Sequence, residues 1–137
     1  MHELTYRVSY ADTDKMGVVY YSNYLVLFER GRTELLREAG ARYRDVEENL
    51  KTYLPAVEAH LEFQAPARYD DLLVILTRVS ELGKASVTFQ YEVLSSEPRR
   101  LLVKGHTRHL FVNERWKPIR VPEQLKTLLS HHTAPFS

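Results

Sequence analysis

The chain has 137 residues, 19 Lys and Arg against 18 Asp and Glu for a formal charge of +1, and 44% apolar against 27% charged side chains. That length argues for one domain, and that composition for a chain that folds around a core of its own. The absence of cysteine excludes a disulfide scaffold, a thiol nucleophile and a cysteine zinc site, and near-neutral charge gives no push toward nucleic acid.

In chain order, Leu4, Tyr6, Val8 and Tyr10 alternate with polar residues, the period-two mark of a half-buried strand. A turn-like segment, Asp12 to Gly17, follows. Tyr24, Phe28, Gly31, Leu35 and Ala39 then recur at helical spacing, with Leu25 and Leu36 widening the stripe. This predicts a helix of about 16 residues, roughly 24 Å long. Ser22 or Asn23 can cap its start, and Gly40 fits the position just past its end.

A short helix is predicted at Tyr43–Asn49. Val57, Ala59, Leu61 and Phe63 return to period two, and Leu72–Ser80 reads as a mostly apolar strand. Gly83-Lys84 marks a hairpin turn, and Ala85, Val87, Phe89, Tyr91 and Val93 give the cleanest alternation in the chain. Ser95 to Pro98 turns the chain, and Leu101–Val112 runs back. Pro122 opens a last short helix to about Ser130, and residues 131–137 are expected to fray as a flexible tail.

The longest aliphatic run, Leu72 to Leu76, is far below the roughly 20 residues a bilayer span needs. Met1 to Arg7 holds no apolar signal region, so neither a membrane span nor a secretory signal is expected, and a soluble, cytoplasmic protein is. The order of one strand, one long helix and four strands on short turns predicts a single α+β domain over residues 1–137. Its five-stranded antiparallel sheet has two open edges, which invite at least a dimer.

Chemistry concentrates between the first strand and the long helix, from Asp12 to Asn23. Two carboxylates and a glycine lie before a helix N-terminus, whose free N–H groups favour negative charge. Such a site can stabilise an oxyanion on a substrate carbonyl, with a carboxylate beside it as base or nucleophile. The same residues equally suit an Asx turn with no chemistry. A calcium loop would need Asp or Asn where Met16 stands and Glu where Asn23 stands. A phosphate loop needs several glycines, and only Gly17 is present. His106 and His109, three apart on a strand, face opposite ways and cannot share a metal, so no metal site is expected. The basic stretch of Arg99, Arg100, Lys104, Arg108, Arg115, Lys117 and Arg120 suits either a phosphorylated ligand or a solvated strand surface. It lacks the interleaved aromatics of a nucleic-acid platform.

The run Tyr10-Ala11-Asp12-Thr13-Asp14-Lys15-Met16-Gly17-Val18-Val19-Tyr20-Tyr21-Ser22-Asn23-Tyr24, with Phe28-Glu29-Arg30-Gly31-Arg32-Thr33-Glu34 after it, strongly resembles the 4-hydroxybenzoyl-CoA thioesterase branch of the hot-dog superfamily. Within that branch it is most similar to the small bacterial acyl-CoA thioesterases associated with the Tol-Pal system. The resemblance implies a five-stranded antiparallel sheet wrapped around one long helix. It also implies subunits paired edge to edge into dimers that commonly pair again into tetramers, with the active site at the dimer interface. Acyl-CoA is the implied substrate, with no separate cofactor. Asp14 is the implied catalytic carboxylate, a backbone N–H near Tyr21 polarises the carbonyl, and Gly17, Val18 and Asn23 are the implied substrate contacts. Lys15 and Met16 are expected to shape the acyl pocket. Tyr21 stands where many Tol-Pal-type relatives carry His, so any help from that His is missing. The fold also serves acyl-thioester hydratases, which pair a His with a carboxylate, and no His neighbours Asp14 in sequence. A non-catalytic binder of acyl-CoA or acyl carrier protein is the other alternative.

Overall fold

The computed structural model describes residues 1–136. The period-two stretches become strands β1 (His2–Arg7), β2 (Ala56–Phe63), β3 (Leu72–Leu82), β4 (Ser86–Ser96) and β5 (Arg99–Leu110). The helical stretches become α1 (Asn23–Ala39), α2 (Tyr43–Asn49) and α3 (Glu123–Ser130), and a single 3-10 turn covers Tyr10–Asp12. The strands form one antiparallel sheet in the order β1-β3-β4-β5-β2, with α1 laid across one face. The fold is the α+β hot-dog arrangement that the sequence leads one to expect.

Period-two burial is strictest on β4, where Val87, Phe89, Tyr91 and Val93 are fully buried. Phe28 of α1 stacks on Tyr91 at 4.1 Å between ring centroids and an interplanar angle of 4°. Burying a ring of that size contributes about 1.5–3 kcal/mol. Gly31, one turn on, lets α1 settle against β3: a Cβ there would collide with Thr77 Oγ1 and stand 3.2 Å from Ile75 Cγ2. Gly40 closes the helix at φ 104°, its N–H donating to Arg37 and Leu36 carbonyls.

Several expectations are corrected. Leu25 is exposed and Leu27 is buried in its place, because the arc that faces the sheet runs through Tyr24, Leu27, Phe28, Gly31, Leu35 and Leu36. Ser22 precedes α1 but its side chain caps nothing. Tyr10 is 74% exposed, since the chain leaves β1 at Arg7 and bends into the 3-10 turn. β2 does not follow β3 in the sheet. β1 already occupies that side of β3, from His2 opposite Thr77 to Arg7 opposite Leu72, so β2 pairs with β5 at the far edge. There Val57 and Phe63 are about half exposed and only Leu61 of the expected inward row packs on the core. Of the tail expected to fray, the His132 carbonyl accepts the Val79 N–H at 2.8 Å and Phe136 lies under the Arg78 guanidinium. Ser137 lies outside the described residues.

A buried polar chain runs beneath α1. The Leu54 carbonyl can only accept, so His109 Nδ1 donates to it at 3.0 Å and Nε2 accepts from Thr107 at 2.8 Å. Tyr91 then donates to Thr107 Oγ1 at 2.6 Å and accepts from Arg32 at 3.4 Å. Burial pushes the His109 imidazole down to about 4 and the Tyr43 phenol up to about 12. No helix among the described residues is long and apolar enough to cross a membrane.

Candidate active site

The two aspartates before α1 have different surroundings. Asp12 Oδ2 accepts hydrogen bonds from Tyr6 Oη at 2.7 Å, the Ser9 N–H at 2.8 Å and Ser9 Oγ at 3.0 Å. Burial alone would raise its pKa, but the Tyr6 and Ser9 bonds outweigh it and hold the carboxyl below its ordinary range. The Asp12 carbonyl accepts from the Tyr20 N–H at 2.9 Å and from Asn23 Nδ2 at 2.8 Å. Asp12 therefore ties β1, the loop and the first residue of α1 together.

Asp14 sits in a tighter hairpin. Its N–H donates to the Val18 carbonyl and its carbonyl accepts from the Gly17 N–H, both at 2.9 Å. Gly17 adopts φ 81°, a left-handed turn position that suits glycine. Asp14 Oδ1 accepts from the Met16 N–H at 2.8 Å, with Val18 N more distant at 3.5 Å, so the Asx turn foreseen as an alternative is present. It engages one oxygen only. Oδ2 has no hydrogen-bond partner among the described residues.

The start of α1 is left open. The Tyr20 carbonyl accepts the Asn23 N–H at 2.9 Å, placing Tyr21 and Ser22 at the centre of a turn. Ser22, at φ −71° and ψ −20°, provides no side-chain cap, and the first turn of α1 holds no acidic residue. The N–H groups of Tyr21 and Ser22 have no acceptor among the described residues. They are unspent donors at the positive end of a helix.

Asp14 and Tyr21 line one cavity of about 480 Å³. Asp14, Val18 and Tyr21 line it together with Met16, Tyr20 and Tyr24; the opposite wall is Phe63 at the end of β2 and residues 64–66 beyond it. The walls are joined through the Val19 N–H donating to the Ala67 carbonyl at 2.8 Å. Gly17 and Asn23 are not in the lining: Gly17 shapes the turn under Asp14, and Asn23 braces the loop against α1. Lys15 is exposed outside it.

Nothing local in the sequence marks residues 63–66 as part of the site, because only the long-range pairing of residues 18–19 with 67–68 brings them to Asp14. No histidine lines the cavity, and among the described residues no group of three or more His, Asp or Glu is placed to hold a metal. A larger cleft, about 600 Å³, lies between Arg7, Asp71, Glu97 and Arg100, with charges of both signs and neither Asp14 nor the open donors. Of the basic stretch, Arg99 pairs with Glu3 at 3.0 Å, and none of the seven residues lines the Asp14 cavity.

Comparison with known proteins identifies the family. The Thioesterase superfamily profile matches residues 16–102, more than half of the chain. Acyl-CoA thioesterase YbgC of Haemophilus influenzae is 32% identical over 126 residues, 91% of each chain. Among solved structures, protein TT1821 of Thermus thermophilus is 37% identical with a TM-score of 0.88, covering 95% of this chain and 98% of that one. The 1,4-dihydroxy-2-naphthoyl-CoA thioesterase Slr0204 of Synechocystis, at 24% identity and TM-score 0.88 over 97% and 98%, shares the fold.

Proposed function

Because this chain belongs to the thioesterase superfamily, we propose that it hydrolyses an acyl-CoA to the free acid and CoA at the Asp14 cavity. As the thioester carbonyl is attacked, negative charge builds on its oxygen. The unspent Tyr21 N–H at the start of α1 stabilises that charge, helped by the helix dipole. Asp14 acts through Oδ2, the oxygen its turn leaves unpartnered. It either takes a proton from the attacking water or attacks the carbonyl itself, giving a mixed anhydride that water then opens. The leaving thiolate is stable enough to depart without a strong acid. Val18, Tyr24 and Phe63 form an apolar wall for the acyl chain.

The observation that carries this reading is that Asp14, with one unpartnered carboxylate oxygen, and Tyr21, with an unpaired backbone N–H, both line one largely apolar cavity. A hydratase would want an imidazole beside the carboxylate, and none lines the cavity. Asp14→Asn keeps an amide oxygen to accept from Met16 and so keeps the turn. Thiol release from a panel of acyl-CoAs should fall roughly 100- to 10,000-fold. An unchanged rate would remove Asp14 from its role, and a wild-type chain that binds acyl-CoA without releasing thiol would be a binder.

The reading extends to assembly. Phe63 lines the cavity from the open sheet edge, with 52% of its surface exposed and unpaired backbone beside it. A second copy adding its own β2 edge to edge would cover this wall and place the site at a dimer seam, with pairing of dimers into a tetramer a further step.

A further inference from the structure

The segment on the far side of the site loop carries a feature that hydrolysis does not use. Val18 bonds through its backbone to Asp14 on one side and bridges Arg68 on the other. At about 4.8 Å between neighbouring extended segments, Asp14 and Arg68 lie roughly 10 Å apart along the surface. The Arg68 N–H is pinned to Asp71 Oδ2 at 2.8 Å, while its side chain is exposed and makes no ion pair among the described residues. The next residue, Tyr69, lies flat on Tyr10, with ring centroids 3.9 Å apart and planes within 4°.

This stack is out in solvent. Tyr10 is 74% exposed and Tyr69 46%, so each ring covers one face of the other and Tyr10 retains a free outer face. Parallel rings with an open face form a platform for a further flat ring; a base stacked on such a ring contributes about 1–3 kcal/mol. A guanidinium one residue away supplies the matching contact for phosphate. Resting on the hydrolase reading above, we propose that Tyr10 and Tyr69 hold the adenine of acyl-CoA and Arg68 one of its phosphates. The nucleotide then lies over residues 67–71, while the thioester reaches Asp14. The platform selects CoA esters over thioesters that lack a nucleotide, and the basic stretch from Arg99 to Arg120 has no part in it.

The test compares an acyl-CoA with the same acyl group on N-acetylcysteamine, which carries no nucleotide. Tyr10→Ala and Tyr69→Ala should each raise KM for the acyl-CoA roughly 5- to 150-fold, the range that stacking energy sets. Values of kcat, and both constants for the cysteamine thioester, should stay at wild-type levels. Tyr10→Phe keeps the ring and should restore wild-type KM. Arg68→Ala should raise KM for the acyl-CoA alone and weaken its salt dependence. Equal losses on both thioesters, or an unmoved KM in both alanine variants, overturn the platform. Calorimetry with desulfo-CoA reads the same contact without turnover. Affinity that falls with Tyr10→Ala in a chain that hydrolyses nothing sinks only the hydrolase reading. Affinity indifferent to both tyrosines in an active chain sinks only the platform.

Discussion

Tyr21→Pro separates a backbone donor from a side chain. Tyr21 is the first central residue of the turn closed by the Asn23 N–H on the Tyr20 carbonyl, and proline is favoured at that position of a type I turn. Its N–H bonds nothing among the described residues, so replacing it removes no hydrogen bond from the fold. Folding stability should therefore stay level, or rise by about 0.4–1 kcal/mol through the stiffer unfolded chain. Catalysis should respond very differently, because one oxyanion donor is lost: about 2.7–4 kcal/mol, or a 100- to 1,000-fold fall in kcat. Tyr21→Ala keeps the N–H and discards the phenol, and should hold kcat near wild type. Thiol-release kinetics on both variants, with thermal unfolding as the folding control, give the answer. If the proline variant unfolds normally and turns over within a few-fold of wild type, the helix-start N–H is not the oxyanion donor. If the alanine variant is the one that fails, the phenol does the work instead.

Two further outcomes follow from the buried polar chain and the open edge. His109 titrates near 4 in the folded chain because burial disfavours its charged form, against about 6.5 when unfolded. Between those values the unfolded chain takes up a proton that the folded chain refuses, so stability is full above pH 6.5 and falls as the pH drops toward 4, by about 3 kcal/mol in all. Urea unfolding at pH 7 and pH 5 should show this loss, and His109→Gln should flatten it; parallel slopes in the two proteins would dismiss the assignment. At the edge, sedimentation should find wild type as a dimer or larger and Phe63→Lys as a monomer with impaired hydrolysis, whereas a monomeric wild type at micromolar concentration would discard the shared seam.

Some of this fold is legible in sequence because its cause is local. β4 alternates without interruption, since each inward residue meets α1 or the core and each outward one does not. Gly40 marks the end of α1 because a left-handed residue is needed there, whatever lies elsewhere. The position of β2 is different. Its own residues alternate as β4's do, but nothing in them reports that β1 has already taken the open side of β3. Register between distant strands is decided by competition for one edge, and no window of a few residues contains both competitors. The exposure of Phe63 and Val57 has the same origin: an apolar alternation that reads as core is spent on an edge.

The candidate site divides along the same line. Asp12 and Asp14 are two residues apart in an acidic turn, and residue type alone does not separate them; resemblance to a family singles out Asp14. The physical difference lies in what each meets. Tyr6, pointing from β1, and Ser9 place three donors on Oδ2 of Asp12, whereas Asp14 accepts on Oδ1 from the amides of its own hairpin and lines the cavity, which Asp12 does not. Three donors hold the Asp12 carboxyl below its ordinary range and make it a poor proton acceptor, while Asp14 stands at the cavity with Oδ2 unpartnered among the described residues. The unpaired donor of Tyr21, in the same lining, is hidden in another way, because a backbone N–H carries no letter in the sequence. Its trace is a serine at the helix start that caps nothing and an asparagine beside it whose side chain is turned back to Asp12. The unsatisfied donors leave the start of α1 without the roughly 0.5–2 kcal/mol a side-chain cap contributes, at the end of the helix where Tyr21 lines the cavity with Asp14.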